Sequence, residues 1–229
     1  MPDRPYTVLS CSVSLDGYLG DQKPRLALSN EADFDRVDQV RASCDAILVG
    51  AVTVRMDNPR LLVRSRARRE ERTARGLPSS PKKITITNRM DLDAGSNFFT
   101  AGEAEKLVYT TSARVADGRA RLGEAATIVD GGRHVRMRRL TEDLGDRGVD
   151  RLMVEGGGIV HTQFLADDLV DELHLVVAPF FVGDSSAPRF VSDGRFPWNA
   201  DRRATLAEVR QIGDVVLLRY ALSPRFRDE

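Results

Sequence analysis

Short apolar runs rich in β-branched residues alternate with helix-like segments along most of this 229-residue sequence. This alternation is typical of parallel strands joined by crossover helices, which cover both faces of a sheet. Several runs are apolar almost throughout, as strands buried on both faces are. The predicted strands are Tyr6–Val13, Asp45–Gly50, Lys83–Thr87, Lys106–Thr110, Ala126–Val129, Arg151–Val154, Glu172–Ala178, Ala204–Arg210 and Val215–Ala221. The pattern therefore predicts an α/β fold with a large, mostly parallel central sheet.

Apolar residues at three- and four-residue spacing predict helices between these strands. Ser29 or Asn30 can cap the first helix, and its buried stripe would consist of Phe34, Val37, Val40 and Cys44. A short helix is expected after Gly50. The other predicted helices are Ser112–Arg121, Val135–Arg147, with Gly148 as its C-terminal glycine, and Gly158–Asp167.

Two segments complete the predicted architecture. Only the turn around Ile212-Gly213-Asp214 separates the last two strands, so these strands must form a C-terminal antiparallel hairpin and the sheet is mixed. The segment from Arg64 to Pro81 has little apolar content and is interpreted as a mobile surface loop. We expect a single domain over residues 1–229.

Composition limits the classes of function. The sequence has 34 basic and 34 acidic residues, so no overall field favours nucleic acid or an acidic membrane. No stretch approaches the roughly 20 apolar residues of a membrane helix, and Met1–Pro5 does not resemble a signal peptide. The two cysteines, Cys11 and Cys44, lie in apolar segments, which predicts a reducing, cytoplasmic location.

Three glycines, Gly156-Gly157-Gly158, follow a predicted strand and open a helix. Backbone N–H groups at such a helix start favour a phosphate or pyrophosphate. The glycines lack the spacing of the dinucleotide-binding and nucleoside-triphosphate fingerprints, so a tight turn between strand and helix is an alternative interpretation.

Polar residues follow other strands at the same predicted edge of the sheet. Thr53 and Asp57 lie on the short helix after Gly50, where they could face a crevice shared with the glycines or simply cap the helix. Asp16, in Ser14-Leu15-Asp16-Gly17, follows the first strand and could equally belong to an ordinary turn. Glu155, beside the glycines, could bind a polar heterocycle or a ribose hydroxyl.

Basic residues and histidines add two expectations. Arg41, Arg60, Arg64 and Arg66 occur near these segments, and guanidinium groups suit a phosphomonoester, although most arginines are solvated surface residues. His134, His161 and His174 have no metal-ligand or triad spacing, which disfavours metal and nucleophilic catalysis. We interpret His161 and His174 as structural.

Taken in order, these segments resemble the pyrimidine reductases of riboflavin biosynthesis over almost the whole chain. The resemblance includes the reductase half of the bifunctional bacterial deaminase-reductase. It rests on the following motifs: Ser14-Leu15-Asp16-Gly17, Val40-Arg41-Ala42, Asp45-Ala46-Ile47-Leu48-Val49-Gly50, Thr53-Val54, Asp57-Asn58-Pro59-Arg60-Leu61, Val154-Glu155-Gly156-Gly157-Gly158, Leu169-Val170-Asp171-Glu172-Leu173, Ala178-Pro179 and Gly183.

The resemblance implies a dihydrofolate-reductase-like fold, a homodimer, NADPH as cofactor and a 5-phosphoribosylamino-pyrimidine as substrate, whose ribose is reduced to a ribityl chain. It assigns the dinucleotide to Thr53, Asp57, Thr87, Asn88, Arg89, Gly156, Gly157 and Gly158, with Arg89 near the 2′-phosphate. It assigns the substrate to Arg41, Leu61, Arg64 and Glu155, and the position beside the reacting ribose to Asp16. Asp16 would orient or protonate the ribose oxygen or the derived imine.

The sequence differs from the bifunctional bacterial enzymes in two respects, and two alternative functions remain. The bacterial fused enzymes have a lysine near the position of Ser10, and the zinc signature of a deaminase is absent from this sequence, so reduction without deamination is expected. The alternatives are a reductase of another heterocycle, such as a dihydropterin or a secondary-metabolite precursor, and a nucleotide-binding relative without turnover.

Overall fold

The structure, a computed structural model, describes residues 4–21 and 26–227. The segment Met1–Pro5, which does not resemble a signal peptide, lies partly outside the described residues, because these begin at residue 4. Among the described residues, nine strands form a mostly parallel sheet with antiparallel C-terminal strands. The strands are β1 (Tyr6–Ser14), β2 (Ala46–Gly50), β3 (Lys82–Ile86), β4 (Lys106–Thr110), β5 (Thr127–Asp130), β6 (Arg151–Gly156), β7 (Glu172–Ala178), β8 (Thr205–Ile212) and β9 (Val215–Ala221).

The α-helices of the described residues are α1 (Glu31–Ser43), α2 (Ala51–Asp57), α3 (Arg66–Ala74), α4 (Asn97–Thr100), α5 (Val115–Leu122), α6 (Met137–Asp146) and α7 (Gly158–Ala166). Five of these seven lie where the sequence predicts a helix, whereas α3 and α4 were not predicted. All nine predicted strands are present, and their ends differ from the predicted ends by no more than two residues. The predicted α/β class and C-terminal hairpin are therefore confirmed.

The chain divides into two compact units, and the first contains residues 37–153. In this unit β2, β3, β4 and β5 pair in parallel, with Gly50 opposite Ile86 and Ile86 opposite Tyr109. One apolar cluster, which includes Ile47, Val49, Leu61, Phe98, Val108 and Met153, forms a core of this unit. Because these strands are parallel, their carboxyl ends lie at one edge, where ligands bind in open α/β sheets.

The second unit contains residues 6–36 and 154 onward. Strand β1 pairs in parallel with β7, which pairs antiparallel with β9, and β8 forms the hairpin with β9. The hairpin turn contains Gly213 at φ +62°, a left-handed conformation that favours glycine. Val176, Ala178, Val215 and Leu217 form a core cluster of this unit together with Leu28.

Helix α1 differs from the prediction at one position. Asn30 caps the helix, since its Oδ1 accepts from Asp33 N at 3.1 Å, while the Ser29 hydroxyl bonds to the Asp33 carboxylate instead. Val37 and Val40 pack against the core of the first unit, and Cys44 is buried. Phe34, however, is 40% exposed, so its predicted place in the buried stripe is wrong.

The segment predicted as a mobile loop, Arg64 to Pro81, contains helix α3. Ser65 caps this helix, and Arg72 is only 2% exposed although it carries a charge. Arg72 donates hydrogen bonds to the carbonyl oxygens of Ala42, Cys44 and Pro78 at 2.7–2.8 Å. The prediction of a loop over this whole segment is therefore wrong, because the buried guanidinium group of Arg72, rather than apolar side chains, fastens this helix.

A chain of buried polar groups crosses the second unit. Arg36 donates to Asp33 at 2.6 Å and to His174 Nδ1 at 3.1 Å, and His174 Nε2 lies 2.6 Å from Glu172 Oε1. Arg219 contacts the same carboxylate at 2.7 Å. Because arginine only donates, His174 Nδ1 must accept, which places the ring proton on Nε2. The prediction that His174 is structural agrees with this pairing.

The charge states of these buried polar groups follow from their contacts. Burial alone would raise the pKa of Glu172, but hydrogen bonds from His174 and Arg219 and the charge of Arg219 lower it to about 2. Burial lowers the pKa of His174, which keeps the imidazole neutral near pH 7. Glu172 therefore remains an anion that is bound by Arg219. The neutral imidazole of His174 links its carboxylate to Arg36.

No helix within the described ranges has the length and apolar character needed to cross a bilayer. Across the same residues, no group of three or more His, Cys, Asp or Glu side chains is arranged to bind a metal ion.

Candidate functional site

In the first unit, two of the predicted cofactor-binding segments begin next to each other. Helix α2, which carries Thr53 and Asp57, starts directly after β2, and the turn Thr87–Arg89 starts directly after β3. These strands are neighbours in register, with Gly50 opposite Ile86. An ion pair of 2.7 Å between Arg55 and Asp91 links helix α2 to the segment after the turn. The structure therefore brings these two segments together at one edge of the sheet.

Thr53 and Asp57 do not cap helix α2. The N-cap is Gly50, which has no side chain, and the C-cap is Asn58 in a left-handed conformation at φ +45°. Asn58 Oδ1 also accepts from Asn97 N at 2.7 Å, so Asn58 fixes the turn after the helix. Partial desolvation raises the pKa of Asp57, although the residue is exposed. The capping interpretation of Thr53 and Asp57 is wrong.

The turn after β3 is shaped by Thr87 and leaves its neighbours exposed. Thr87 is buried, and its Oγ1 accepts from Arg89 N at 3.2 Å and from Met90 N at 3.1 Å. Asn88 and Arg89 are exposed. Thr87 therefore acts through the backbone of the turn, whereas the side chains of Asn88 and Arg89 can reach a ligand.

The predicted substrate residues of the first unit lie on or beside one short loop. Arg41 of α1 donates to Leu62 O at 3.4 Å, and Arg64 is exposed at the end of this loop. Leu61 is 2% exposed, belongs to the apolar core and has φ +48°. The structure thus brings Arg41 and the loop of Arg64 together, whereas Leu61 can offer a ligand only its backbone.

In the second unit, the three glycines turn the chain from β6 into α7. Gly157 has φ +66°, which side chains rarely adopt. At Gly158 a Cβ atom would lie 2.2 Å from Arg189 O, so this position has no room for a side chain. Both glycines are therefore needed by the fold itself, and the tight-turn interpretation is correct as far as it goes.

The same turn also has the features of an anion site. Helix α7 begins at Gly158 without a side-chain cap, and the first N–H groups of a helix have no partner within the helix. They form the positive end of the helix dipole, which attracts a phosphate. Glu155 is half-buried in β6, one residue before the glycines. The turn and the phosphate interpretations are compatible.

Asp16 holds a loop through backbone hydrogen bonds. Its carboxylate accepts from Ser14 Oγ at 2.5 Å, Val182 N at 3.1 Å and Gly183 N at 2.8 Å. Partial desolvation acts to raise the pKa of Asp16, but these hydrogen bonds lower it to about 2. Asp16 is therefore ionised near pH 7, which suits a group that orients a neighbour and not one that donates a proton.

One segment of the second unit, Pro188–Phe190, was not predicted from the sequence. Tyr18 pairs with Arg189, and Phe190 N donates to Gly17 O at 3.0 Å. On its other side, Arg189 O lies against Gly158. This segment therefore joins the Asp16 turn to the glycine turn. Its contacts with Gly17 and Gly158 are made by the backbone, so no side-chain pattern indicates them.

His161 on α7 also contacts this segment. Its Nδ1 lies 3.3 Å from Phe190 O, and the ring is completely buried. Burial, only partly opposed by the hydrogen bond with Phe190, lowers the pKa of His161 to about 4. The prediction that this histidine is structural agrees with its position. His134 is exposed.

The predicted site residues divide between the two units. Thr53, Asp57 and the turn Thr87–Arg89 belong to the first, and Asp16 and the triple-glycine turn belong to the second. That all of them face one crevice stays a prediction.

Comparison with known proteins gives one family and several relatives. The model of the RibD C-terminal domain family matches residues 5–218. Two curated relatives, from Archaeoglobus fulgidus and Methanothermobacter thermautotrophicus, are named 2,5-diamino-6-ribosylamino-4(3H)-pyrimidinone 5′-phosphate reductase and are each 32% identical to this chain. The matches cover 97% and 96% of the chain and 99% of each relative.

Among solved structures, a pyrimidine reductase-like protein from Corynebacterium diphtheriae has a similar fold. The TM-score is 0.83 at 22% identity, over 95% of this chain and 91% of that protein. The likeness agrees with the predicted dihydrofolate-reductase-like fold.

We expect Gly158→Ala to lower the free energy of unfolding by about 2 kcal/mol, because the new Cβ would overlap a backbone oxygen that cannot easily move. Urea denaturation measures the change. Gly20→Ala is the matched control, since nothing lies within 4 Å of its added Cβ. Equal free energies for Gly158→Ala and the wild type would show that Arg189 does not pack against this turn.

Proposed function

Because the chain belongs to the RibD C-terminal domain family, we propose that it is the NADPH-dependent reductase of riboflavin biosynthesis that acts on a phosphorylated ribosylaminopyrimidine. It converts the ribosylamino side chain to the ribitylamino form. The observation that carries this proposal is the nearly full-length match to two relatives named as pyrimidinone phosphate reductases. The family match over residues 5–218 supports the same reaction class.

The cofactor residues proposed here fit a dinucleotide by their chemistry. Helix α7 begins at a glycine turn without a side-chain cap, which suits a pyrophosphate. Arg89 is an exposed guanidinium at the end of β3, which suits a 2′-phosphate and favours NADPH over NADH. Thr53, Asp57 and Asn88 would hold the remaining polar groups. A bound nicotinamide supplies the hydride for the reduction of C1′.

The protein's own task is then to position the substrate and to fix its charges. Arg41 and Arg64 bind the phosphate of the substrate, and Glu155 binds the pyrimidine or a ribose hydroxyl. Asp16 remains an anion and orients the ribose through the loop that it holds, because a carboxyl group with a pKa of about 2 is not protonated near pH 7. A bound substrate needs no metal ion in this scheme.

We expect the purified chain to oxidise NADPH only when the 5′-phosphate of the diaminopyrimidine ribosylamine is supplied. The product should be two mass units heavier than the substrate, because a hydride and a proton are added. Mass spectrometry of the product and absorbance at 340 nm measure both quantities. Turnover of a dihydropterin instead would favour the other heterocycle reductases, and nucleotide binding without any turnover would favour a non-catalytic relative.

Asp16→Asn tests the orienting role. The neutral amide cannot accept both backbone N–H groups as strongly, so we expect kcat to fall roughly 10- to 100-fold. Since the pKa of Asp16 is about 2, the shape of the pH profile between pH 5 and 9 should not change. Loss of an ionisation from that profile would instead identify Asp16 as the proton donor.

We further propose that the chain forms a homodimer through an apolar face of β8 and β9. Leu206, Val209 and Val216 are 50%, 59% and 38% exposed. The strand register places them on the same face as half-buried Tyr220 and Leu218. An exposed apolar sheet face of this kind is typical of protein interfaces, and the same face on a second copy can cover it.

Val209→Glu should convert the dimer to a monomer, because the charge would be buried between two apolar faces. Sedimentation velocity measures the change. Thr205→Glu is the matched control, since Thr205 is exposed on the opposite face of the same strand and should leave the dimer intact. An unchanged sedimentation coefficient for Val209→Glu would place any interface elsewhere.

A further inference from the structure

The loop Leu61–Ser65 is held almost entirely by side chains from other segments. Val63 N donates to Ser80 Oγ at 3.1 Å, and Leu62 O accepts from Arg41. Arg69 donates to both Val63 O at 3.0 Å and Arg64 O at 2.5 Å. No strand or helix includes this loop, so its position depends on these contacts.

Asp38 of α1 is the centre of this arrangement. Its side chain is only 3% exposed, and its carboxylate accepts from Arg64 N and, at 3.1 Å, from Ser65 N. Arg68 of α3 neutralises the same carboxylate at 2.9 Å. A buried carboxylate without these three partners would be costly, so the loop and helix α3 are bound to α1 together.

The consequence for Arg64 is that its backbone is fixed while its side chain is exposed. Its N–H is bound by Asp38 and its carbonyl oxygen by Arg69. Arg64 is exposed, and within the described ranges its guanidinium group makes neither a hydrogen bond nor an ion pair, so its side-chain donors are available to a ligand.

Three arginines of α3 are engaged with other parts of the protein. Arg68 pairs with Asp38, and Arg69 and Arg72 donate to backbone carbonyl oxygens, whereas Arg66 forms only an exposed pair with Glu70 at 2.7 Å. A helix that served as a docking surface for an anionic polymer would present its charges to solvent instead. These contacts favour an internal clamp.

We propose that Asp38 is a positioning residue that, with Arg68 and Arg69 of helix α3, fixes Arg64 for the phosphate of the substrate. The selectivity for a phosphorylated substrate therefore depends on the contacts of α3 with Asp38 and with the loop. This inference rests on the proposed function, in which Arg64 binds that phosphate.

The test compares the phosphorylated substrate with the same ribosylaminopyrimidine without its phosphate. Asp38→Asn should raise KM for the phosphorylated substrate roughly tenfold and leave kcat within about twofold, because a displaced binding group weakens binding before chemistry. The kcat/KM for the unphosphorylated compound should not change. Glu70→Gln, which breaks only the exposed pair with Arg66, is the matched control and should match the wild type.

A second variant covers the case in which Asp38→Asn folds poorly. Arg68→Met removes the partner of Asp38 but keeps most of the packing volume, and it should weaken inhibition by ribose 5-phosphate roughly three- to tenfold. The double variant Asp38→Asn/Arg68→Met should show non-additive effects, because both changes act on one contact. Additive effects, or equal losses for both substrates, would overturn the inference.

Arg64→Ala distinguishes the role of Arg64 in binding the phosphate from the positioning role of Asp38. If Arg64→Ala does not reduce discrimination between the two substrates, the proposed role of Arg64 in the reaction fails. If Arg64→Ala reduces it but Asp38→Asn and Arg68→Met do not, the role of Arg64 stands and the positioning role of Asp38 is wrong.

Discussion

Loops at the candidate site depend on one interaction, the acceptance of backbone N–H groups by side-chain oxygens. Loop segments outside strands and helices must find such partners, because an unpaired buried N–H is costly. Asp38 provides them for Arg64 and Ser65, Asp16 for Val182 and Gly183, and Thr87 for Arg89 and Met90. In each case an acceptor anchored on or directly after a regular element fixes the segment it binds. Strands and helices therefore set the positions of these loops through a few polar contacts.

Burial and these contacts divide the candidate residues into those that support the backbone and those whose side chains are open to a ligand. Thr87 and Leu61 are buried and support the backbone, whereas Arg64, Asn88 and Arg89 are exposed and carry the donors that a ligand would meet. Asp16 supports the backbone of the loop that it binds, and its carboxylate stays ionised. Pre-organised groups of this kind lose little freedom when a ligand binds, which favours both affinity and rate.

Apolar periodicity was sufficient to predict the strands and most helices, because burial of β-branched runs leaves a direct trace in the sequence. Helix α3 could not be found in this way. Its buried residue is Arg72, whose guanidinium group binds carbonyl oxygens, and an arginine-rich segment looks like a solvated loop when only apolar residues are counted. Pro188–Phe190 escaped for a related reason, since its contacts with Gly17 and Gly158 are made by the backbone. The positive φ of Leu61 could not be predicted either, because leucine rarely adopts this conformation.

The buried polar groups Arg36, His174, Glu172 and Arg219 also limit which substitutions the sequence can accept. Each member compensates the charge or the hydrogen-bonding capacity of its neighbours, so the loss of one leaves an unbalanced group in the interior. The protein is expected to tolerate substitutions at these four positions only when several are replaced together. One example is the simultaneous replacement of an ion pair by two apolar side chains of similar volume. Homologous chains are therefore expected to carry either the complete set or a wholly apolar replacement, with few intermediates between them.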